Sequence, residues 1–319
     1  MKKVLRAPWF GPLCAVLAVY ALFALLAPDT FTRTANVLTM ARQTVIVSLA
    51  AIGMTLVMIQ GGIDLSVGST VALTTVIVAR ALDGGSGAWA AAAGGVALGA
   101  CVGAINGLLV TGLRLLPFIV TLGTMSALRG AAKGLANEQK VDADPKGLDS
   151  LMALPGGAQG GFLLPTGVWV ALALALVFAG FLAYTRPGRH VVAVGSNLET
   201  ARLCGVPVGR VTLMVYVIAG ALAGLAGVME FSTLTVGDPT DSIGLELEVI
   251  AAVVIGGASL SGGRGSIAGA LCGALLLTEI KTGSTHVGLP NWVQEIHTGA
   301  IILVAMALDR CREQGKGTV

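Results

Sequence analysis

Long apolar runs alternate with short polar breaks along the whole chain. A bilayer core of about 30 Å takes roughly 20 helical residues to span. Ten segments approach this length, near residues 9–27, 37–60, 66–82, 88–112, 117–132, 168–185, 208–229, 246–259, 265–282 and 290–308. The third, fifth and eighth are short, so eight full spans with added re-entrant pieces is an alternative. The pattern predicts one all-α polytopic membrane domain over residues 1–319, with about ten transmembrane helices, some of them broken.

Positive charges orient these helices. If the N terminus is cytoplasmic, an even number of crossings returns the C terminus to the same side. The cytoplasmic set is then Lys2, Lys3, Arg6, Arg114, Arg186, Arg189, Arg202, Arg210, Arg264, Arg310, Arg312 and Lys316, out of 20 lysines and arginines. The positive-inside rule therefore favours both termini in the cytoplasm. A loop at about 133–166 is then outside, and one at about 186–209 is inside.

Composition supports a membrane protein and excludes several other classes. The chain is 55% hydrophobic and 12% charged, with a mean hydropathy of +0.85, whereas soluble domains are about a quarter charged. The first apolar run lacks a small-residue cleavage site, so it is expected to stay as a span. The net charge of +3 comes without a basic patch, so no nucleic-acid partner is expected.

No catalytic, metal or cofactor site is expected from the reactive residues. The five cysteines are isolated and have no Cys-x-x-Cys spacing, so we interpret them as reduced packing residues. The three histidines, His190, His286 and His297, lack ligand spacing. No Ser/His/Asp or Cys/His arrangement is evident, so the chain is not expected to be an enzyme.

Residues 260–263 spell Leu-Ser-Gly-Gly, the signature of ABC-type ATPases. A nucleotide-binding subunit also needs a phosphate-binding Gly-x-x-x-x-Gly-Lys-Ser/Thr loop. The nearest match, GKGT at 315–318, lacks the upstream glycine and a preceding strand. ATP hydrolysis therefore belongs in another chain, and the signature needs a different explanation.

An internal repeat supplies that explanation. Residues 54–69 read MTLVMIQGGIDLSVGS and residues 250–266 read IAAVVIGGASLSGGRGS, a displacement of 195 residues. In each, an apolar helix meets Gly-Gly, breaks, and continues as another helix after Leu-Ser. Transporters build their sites on such repeats and discontinuous helices. The candidate translocation and gating residues are Gly61, Gly62, Asp64, Ser66, Gly256, Gly257 and Ser261.

Four motifs resemble the ribose-type ABC importer permeases. They are GGIDLSVGS at 61–69, PFIVTLGTM at 117–125, the Gly-Gly motif at 255–266, and VGSNLETARLCGV at 194–206, which is similar to the family's ATPase-docking loop. Leu198 and Thr200 depart from the Pro and Ala usual there and bear on the fine geometry of docking.

The resemblance spans about residues 35–308 and implies a permease in a bacterial inner membrane. It would pass a monosaccharide or related small polyol. The implied partners are an ABC ATPase subunit, a periplasmic sugar-binding protein, a second permease copy or paralogue, and membrane lipid.

The docking loop also makes sense from its residues alone. Asn197 is a good helix N-cap, Glu199 suits the positive helix start, and Gly205 ends the helix before Pro207. A two-turn helix is marginal alone, so we expect it to rest in a partner's groove. A plain connector is less favoured, because connectors run about two to eight residues. The candidate docking residues are Gly195, Asn197, Glu199, Ala201, Arg202 and Gly205.

Asp64 is the most suggestive charge, because a carboxylate inside a span is costly unless it is satisfied. It could hold the broken helix pair through backbone N–H groups, bind sugar hydroxyls, or couple transport to a proton or sodium ion. The structural gating role ranks first. Four other carboxylates, Glu230, Glu246, Glu248 and Glu279, are interpreted as solvated anchors near the outer ends of spans, and the outermost of them could meet the binding protein.

Two functions stay open at this stage: an ATPase-driven permease subunit and an ion-coupled secondary sugar carrier. The long docking loop favours the first.

Glycines four residues apart predict close helix packing, in preference to a subunit interface. They are Gly95, Gly99, Gly103 and Gly107, then Gly220 and Gly224, then Gly265, Gly269 and Gly273.

Overall fold

Helices make up nearly all the regular structure in the computed structural model, which describes residues 9–154, 164–290, 292–296, 299–300 and 303–304. The helices are α1 (Phe10–Leu26), α2 (Pro28–Phe31), α3 (Thr34–Ile59), α4 (Val67–Asp83), α5 (Ala88–Gly112), α6 (Pro117–Leu135), α7 (Thr166–Tyr184), α8 (Arg186–Ser196), α9 (Leu198–Leu203), α10 (Val208–Leu234), α11 (Leu245–Ile255) and α12 (Ile267–His286). Two short strands, β1 (Val141–Asp142) and β2 (Val236–Gly237), and a 3-10 helix at Leu148–Leu151 complete the described elements.

The predicted all-α membrane architecture is confirmed. Nine of the ten predicted segments coincide with a helix, and the segment 290–308 falls partly outside the described residues. Within the described ranges, four helices, α3, α5, α7 and α10, are long and apolar enough to cross a membrane. The 11 residues of α11 are too few for a span, as expected of a broken helix. The sidedness of the termini stays a prediction.

Helix α3 lies at the centre of the bundle. Every residue from Val45 to Ile59 is buried, and α3 packs against α7, α8, α10, α11 and α12. A helix that is apolar on all sides is driven to such a central position, because no face of it gains from polar surroundings. The end of α3 at Ile59 is therefore held on several sides.

The glycine stripes pack helices together, as predicted. A Cβ on Gly99 would overlap the Gly220 carbonyl oxygen, and one on Gly103 would overlap the Tyr216 carbonyl oxygen, so α5 and α10 touch along their backbones. In the same way, Gly273 lies against Ala252, bringing α12 onto α11. These contacts are all within one chain, which accounts for the stripes without a subunit interface.

The loop after α6 is tied to the loop after α10 at one end of the bundle. β1 pairs antiparallel with β2, and Lys140 Nζ lies 3.1 Å from Asp238 Oδ2. Partial burial acts to raise the pKa of the Asp238 carboxyl, but hydrogen bonds from Thr240 and the Lys140 charge outweigh it and lower this pKa. The sequence pattern predicted a plain loop at 133–166 and did not indicate this pairing.

We expect Gly103→Ala to destabilise the bundle, because its new methyl group would overlap the Tyr216 backbone of α10. The expected cost is about 1–3 kcal/mol, the usual range for overpacking. The matched control is Gly94→Ala on the same helix, where a Cβ meets open space. That change should be neutral or slightly stabilising, since alanine favours helix. Thermal unfolding of both variants in detergent measures the difference, and equal melting temperatures would contradict the packing role.

Candidate gating and docking site

The first helix break begins where α3 ends. Gly61 has a φ of 88°, and its N–H donates to the Met58 carbonyl at 2.9 Å. The Gly62 N–H donates to the Val57 carbonyl at 2.9 Å. These two bonds form a Schellman motif, which satisfies carbonyls that the helix end leaves free. The predicted Gly-Gly break therefore has a defined geometry, with glycine required at position 61.

The second break uses the same motif with a shift of one residue. Gly257, with a φ of 91°, donates to the Val254 carbonyl at 2.9 Å, and the Ala258 N–H donates to the Val253 carbonyl at 3.1 Å. The left-handed position is thus the first glycine of one Gly-Gly pair and the second of the other. Gly256 keeps helical geometry, and a Cβ there would lie 2.5 Å from the Ala270 nitrogen. Its role is close packing on α12.

The Leu-Ser-Gly-Gly run turns the chain back into α12. Gly262 and Gly263 have φ values of 88° and 74°, which side chains rarely adopt. Ser261 Oγ lies 2.9 Å from Ser259 Oγ, and Ser266 Oγ accepts from the Gly269 N–H at 3.2 Å to cap α12. The resemblance to an ATPase signature therefore comes from a turn that needs small residues.

Polar side chains fix the far side of the first break. Asp64, only 3% exposed, accepts at Oδ1 from the Ser66 N–H at 2.9 Å and from Ser66 Oγ at 2.6 Å. Asn106 of α5 donates to Ser66 Oγ at 2.9 Å, and Thr121 of α6 donates to the Ile63 carbonyl at 3.1 Å. Two neighbouring helices thus hold the break. The sequence pattern indicated neither role, although Thr121 lies inside the motif PFIVTLGTM.

Both breaks and the end of α8 meet at one point. The Gly263 N–H donates to the Ile59 carbonyl at 2.7 Å, and a Cβ on Gly262 would lie 3.1 Å from the Gly61 Cα. A Cβ on Gly195 would overlap the Ile59 carbonyl oxygen and lie 2.7 Å from the Gly263 nitrogen. We call these four glycines, Gly61, Gly195, Gly262 and Gly263, the glycine junction. It joins predicted gating and docking residues through direct backbone contact.

The segment 186–209 was predicted to hold one short helix, but the structure has two, α8 and α9. Thr185 Oγ1 caps α8 by accepting from the Gly188 N–H at 3.0 Å, while Val191 and Val194 are buried. These valines belong to a cluster shared with α3, α9 and α10. A threonine two residues before Pro187 was the available signal, since this order is typical of a helix start.

Helix α9 has the predicted caps but is shorter than the predicted two turns. Asn197 Oδ1 accepts from the Thr200 N–H at 2.8 Å. At the other end the Val206 N–H donates to the Ala201 carbonyl at 3.0 Å, and Gly205, with a φ of 78°, donates to the Arg202 carbonyl at 2.9 Å. This Schellman motif stops the helix after six residues.

One face of α9 packs on the bundle and the other is free in this chain. Ala201 is 4% exposed, whereas Leu203 is 88% exposed. Arg202 and Glu199 form an exposed pair at 2.9 Å, which contributes little stability by itself. Leu203 follows Arg202 on this free face, and the sequence pattern did not indicate its exposure.

A family model described as the branched-chain amino acid transport system / permease component matches residues 36–306. The chain belongs to this permease family. The permease is 38% identical over 303 residues to the ribose import permease protein RbsC of Escherichia coli (strain K12), covering 94% of this chain and 93% of that protein. It is 35% identical over 302 residues to the L-arabinose ABC transporter permease protein AraH of Azospirillum brasilense, covering 95% and 87%. No solved structure matches.

The four carboxylates predicted as solvated anchors differ in how far they are buried in the permease. Glu279 is only 3% exposed, so that prediction is wrong for it. Glu246 also has one buried oxygen, Oε2, without a partner in the described part of the chain. Glu230 and Glu248 line a cavity between α3, α10, α11 and α12. Their burial depends on contacts between distant helices, which the sequence pattern did not indicate.

We expect Asp64→Ala to lower the free energy of unfolding of the permease by about 1–3 kcal/mol, since it leaves the buried Ser66 N–H unpaired. Asp64→Asn keeps an acceptor at Oδ1 and should retain most of the stability. Thermal unfolding of the two variants beside the wild type checks this. Equal losses for alanine and asparagine would show that the charge, and not the hydrogen bonds, is what the break requires.

Proposed function

We propose that the permease is the membrane-spanning subunit of an ABC importer for a monosaccharide or related small polyol. A separate ATPase drives it, and a soluble binding protein supplies the solute at a bacterial inner membrane. The family description names branched-chain amino acids, but the quoted relatives, similar over nearly the whole chain, are named for ribose and L-arabinose. Those names support a sugar.

The glycine junction is the observation that best supports ATPase-driven gating. Gly195 lies at the end of α8, directly before α9, and rests on Ile59 and Gly263. Backbone atoms in contact have no side chain between them to absorb a displacement. A movement of the docking segment, residues 186–205, therefore reaches both helix breaks at once. This arrangement favours an external ATPase over ion coupling, because an ion-coupled carrier has no use for such a segment.

We propose that the docking segment binds in a groove of the ATPase. Caps at both ends pre-form α9, so little ordering entropy remains to oppose binding. We assign Leu203 as the apolar anchor, with Glu199 and Arg202 beside it. Each permease offers one docking segment, whereas an ATP-driven motor uses two ATPase domains. We therefore propose a homodimer, or a heterodimer with a paralogue.

We propose that the binding protein contacts the end of the bundle opposite the docking segment. Helix α10 has 27 residues, about 40 Å at 1.5 Å per residue, and separates the docking segment from the paired strands β1 and β2. With both termini in the cytoplasm, these strands and the segment 133–166 face outside. The pairing of β1 with β2, beside the ion pair of Lys140 with Asp238, joins the two loops at this end.

The main test is the double variant Glu199→Lys with Gly205→Val. The first change reverses a charge at the start of α9, worth about 0.3–1 kcal/mol by itself, and the second puts a β-branched residue at a φ of 78°. We expect ATP-dependent sugar uptake and co-purification of the ATPase to be lost, with unchanged permease levels in the membrane. Gly205→Asn is the matched control, because asparagine tolerates positive φ. Normal uptake with normal ATPase retention would rule out this docking segment.

The coupling contact has its own test in Gly195→Ala. The added methyl group pushes the end of α8 away from Ile59. We expect the ATPase to stay bound, since α9 is intact, but uptake to fall at least about tenfold, as a barrier increase of about 1.4 kcal/mol gives. Gly209→Ala is the control, because a Cβ there meets open space. Uptake by Gly195→Ala equal to that of the control would contradict the junction's role.

A further inference from the structure

A cavity of about 680 Å³ lies between α3, α10, α11 and α12. It sits near the end of α10 at Leu234, away from the docking segment and from the glycine junction. Aliphatic side chains, among them Ile46 and Leu277, form part of its wall. Its volume is within the range of about 300–1,000 Å³ typical of small-molecule sites.

Ionisable side chains from separate elements converge on this cavity. Glu230 comes from α10, Asp241 from the loop after β2, Glu248 from α11 and Lys281 from α12. Lys281 Nζ lies 3.4 Å from Glu248 Oε1, and the Glu230 and Asp241 side chains are within hydrogen-bonding reach of each other. A separation of 3.4 Å is long for a charged hydrogen bond. Lys281 and Glu248 can therefore bond to a ligand in place of each other at little cost in free energy.

The position of Glu230 indicates a functional site. It is half-buried inside α10, one of the helices long and apolar enough to cross a membrane. Glu230 lies one turn before the end of α10, where a half-buried carboxyl group needs polar partners. Neither the docking segment nor the two helix breaks use Glu230, so its presence needs a separate reason.

We propose that this cavity is a low-affinity receiving site for one monosaccharide within each permease subunit, an inference that rests on the proposed function. Sugar hydroxyls both donate and accept hydrogen bonds. Carboxylates of Glu230, Asp241 and Glu248 accept from them, and Lys281 and Thr282 donate to them. The aliphatic wall meets the sugar's C–H face. Weak binding suits a solute that must move on.

A branched-chain amino acid fits this cavity less well. Its ammonium group could pair with the acidic side chains and its carboxylate with Lys281, but its aliphatic side chain offers no hydrogen bonds to the polar groups that line the rest of the cavity. Leucine is therefore the discriminating competitor, since the family description itself names this class of solute.

The experiment uses the permease with its ATPase in lipid nanodiscs, without the binding protein. Saturation-transfer NMR measures binding of D-ribose, L-arabinose and leucine to the wild type and three variants. Glu230→Gln replaces the carboxyl group with an amide of similar size, and Thr282→Phe fills the cavity. Glu138→Gln is the matched control, on an exposed carboxylate outside the cavity. We expect sugar binding to weaken about tenfold in Glu230→Gln, as loss of one hydrogen bond implies, to vanish in Thr282→Phe, and to persist in the control.

The possible outcomes test the sugar site in the cavity independently of the proposed function. Binding of sugar by both cavity variants as tightly as by the wild type, or no sugar binding by the wild type, overturns the inference. Preferential binding of leucine overturns the solute class. Uptake by the complete transporter is measured alongside: a wild type that takes up no monosaccharide refutes the proposed function, whereas the NMR comparison still decides whether the cavity binds sugar.

Discussion

Two helix breaks inside the bundle leave backbone N–H and C=O groups that need partners. In an apolar interior, each N–H or C=O without a partner costs several kcal/mol. Each break satisfies its nearest groups with a Schellman motif, but the Ile59 carbonyl and the Gly263 N–H find their partners in each other, across the internal repeat. The two breaks must therefore lie side by side, and only glycine allows backbones to come that close.

That requirement also determines where the docking segment sits. The end of α8 fits against the two breaks because Gly195 has no side chain, and the buried valines Val191 and Val194 hold the helix there. Helix α9 follows directly, with its caps formed within itself. The surface proposed to meet the ATPase and the breaks proposed to gate the pathway are thus parts of one rigid contact. Coupling follows from packing and needs no long relay of side chains.

Buried polar groups divide into two sets with different chemistry. Around the first break, Asp64, Ser66, Asn106 and Thr121 direct hydrogen bonds at one another and at the backbone. Such a network keeps a single conformation. In the cavity, by contrast, Lys281 Nζ lies 3.4 Å from Glu248 Oε1, and Glu230 and Asp241 also line the open space. The first set suits holding a break closed, and the second suits receiving a polar solute.

The membrane class, most of the helices, the two breaks, the glycine stripes and both caps of α9 were predictable from the amino-acid sequence. All of these follow from signals within a few residues: hydrophobic runs, Gly-Gly, an Asn N-cap and a Gly stop. Four features appear only in the folded chain: the contact between the breaks, the formation and packing of α8, the shift of the left-handed glycine by one position between repeats, and the burial of Glu279. These features depend on residues that are far apart along the chain. Ile59 and Gly263 are brought together by the packing of several helices, and no local pattern in either segment encodes its partner.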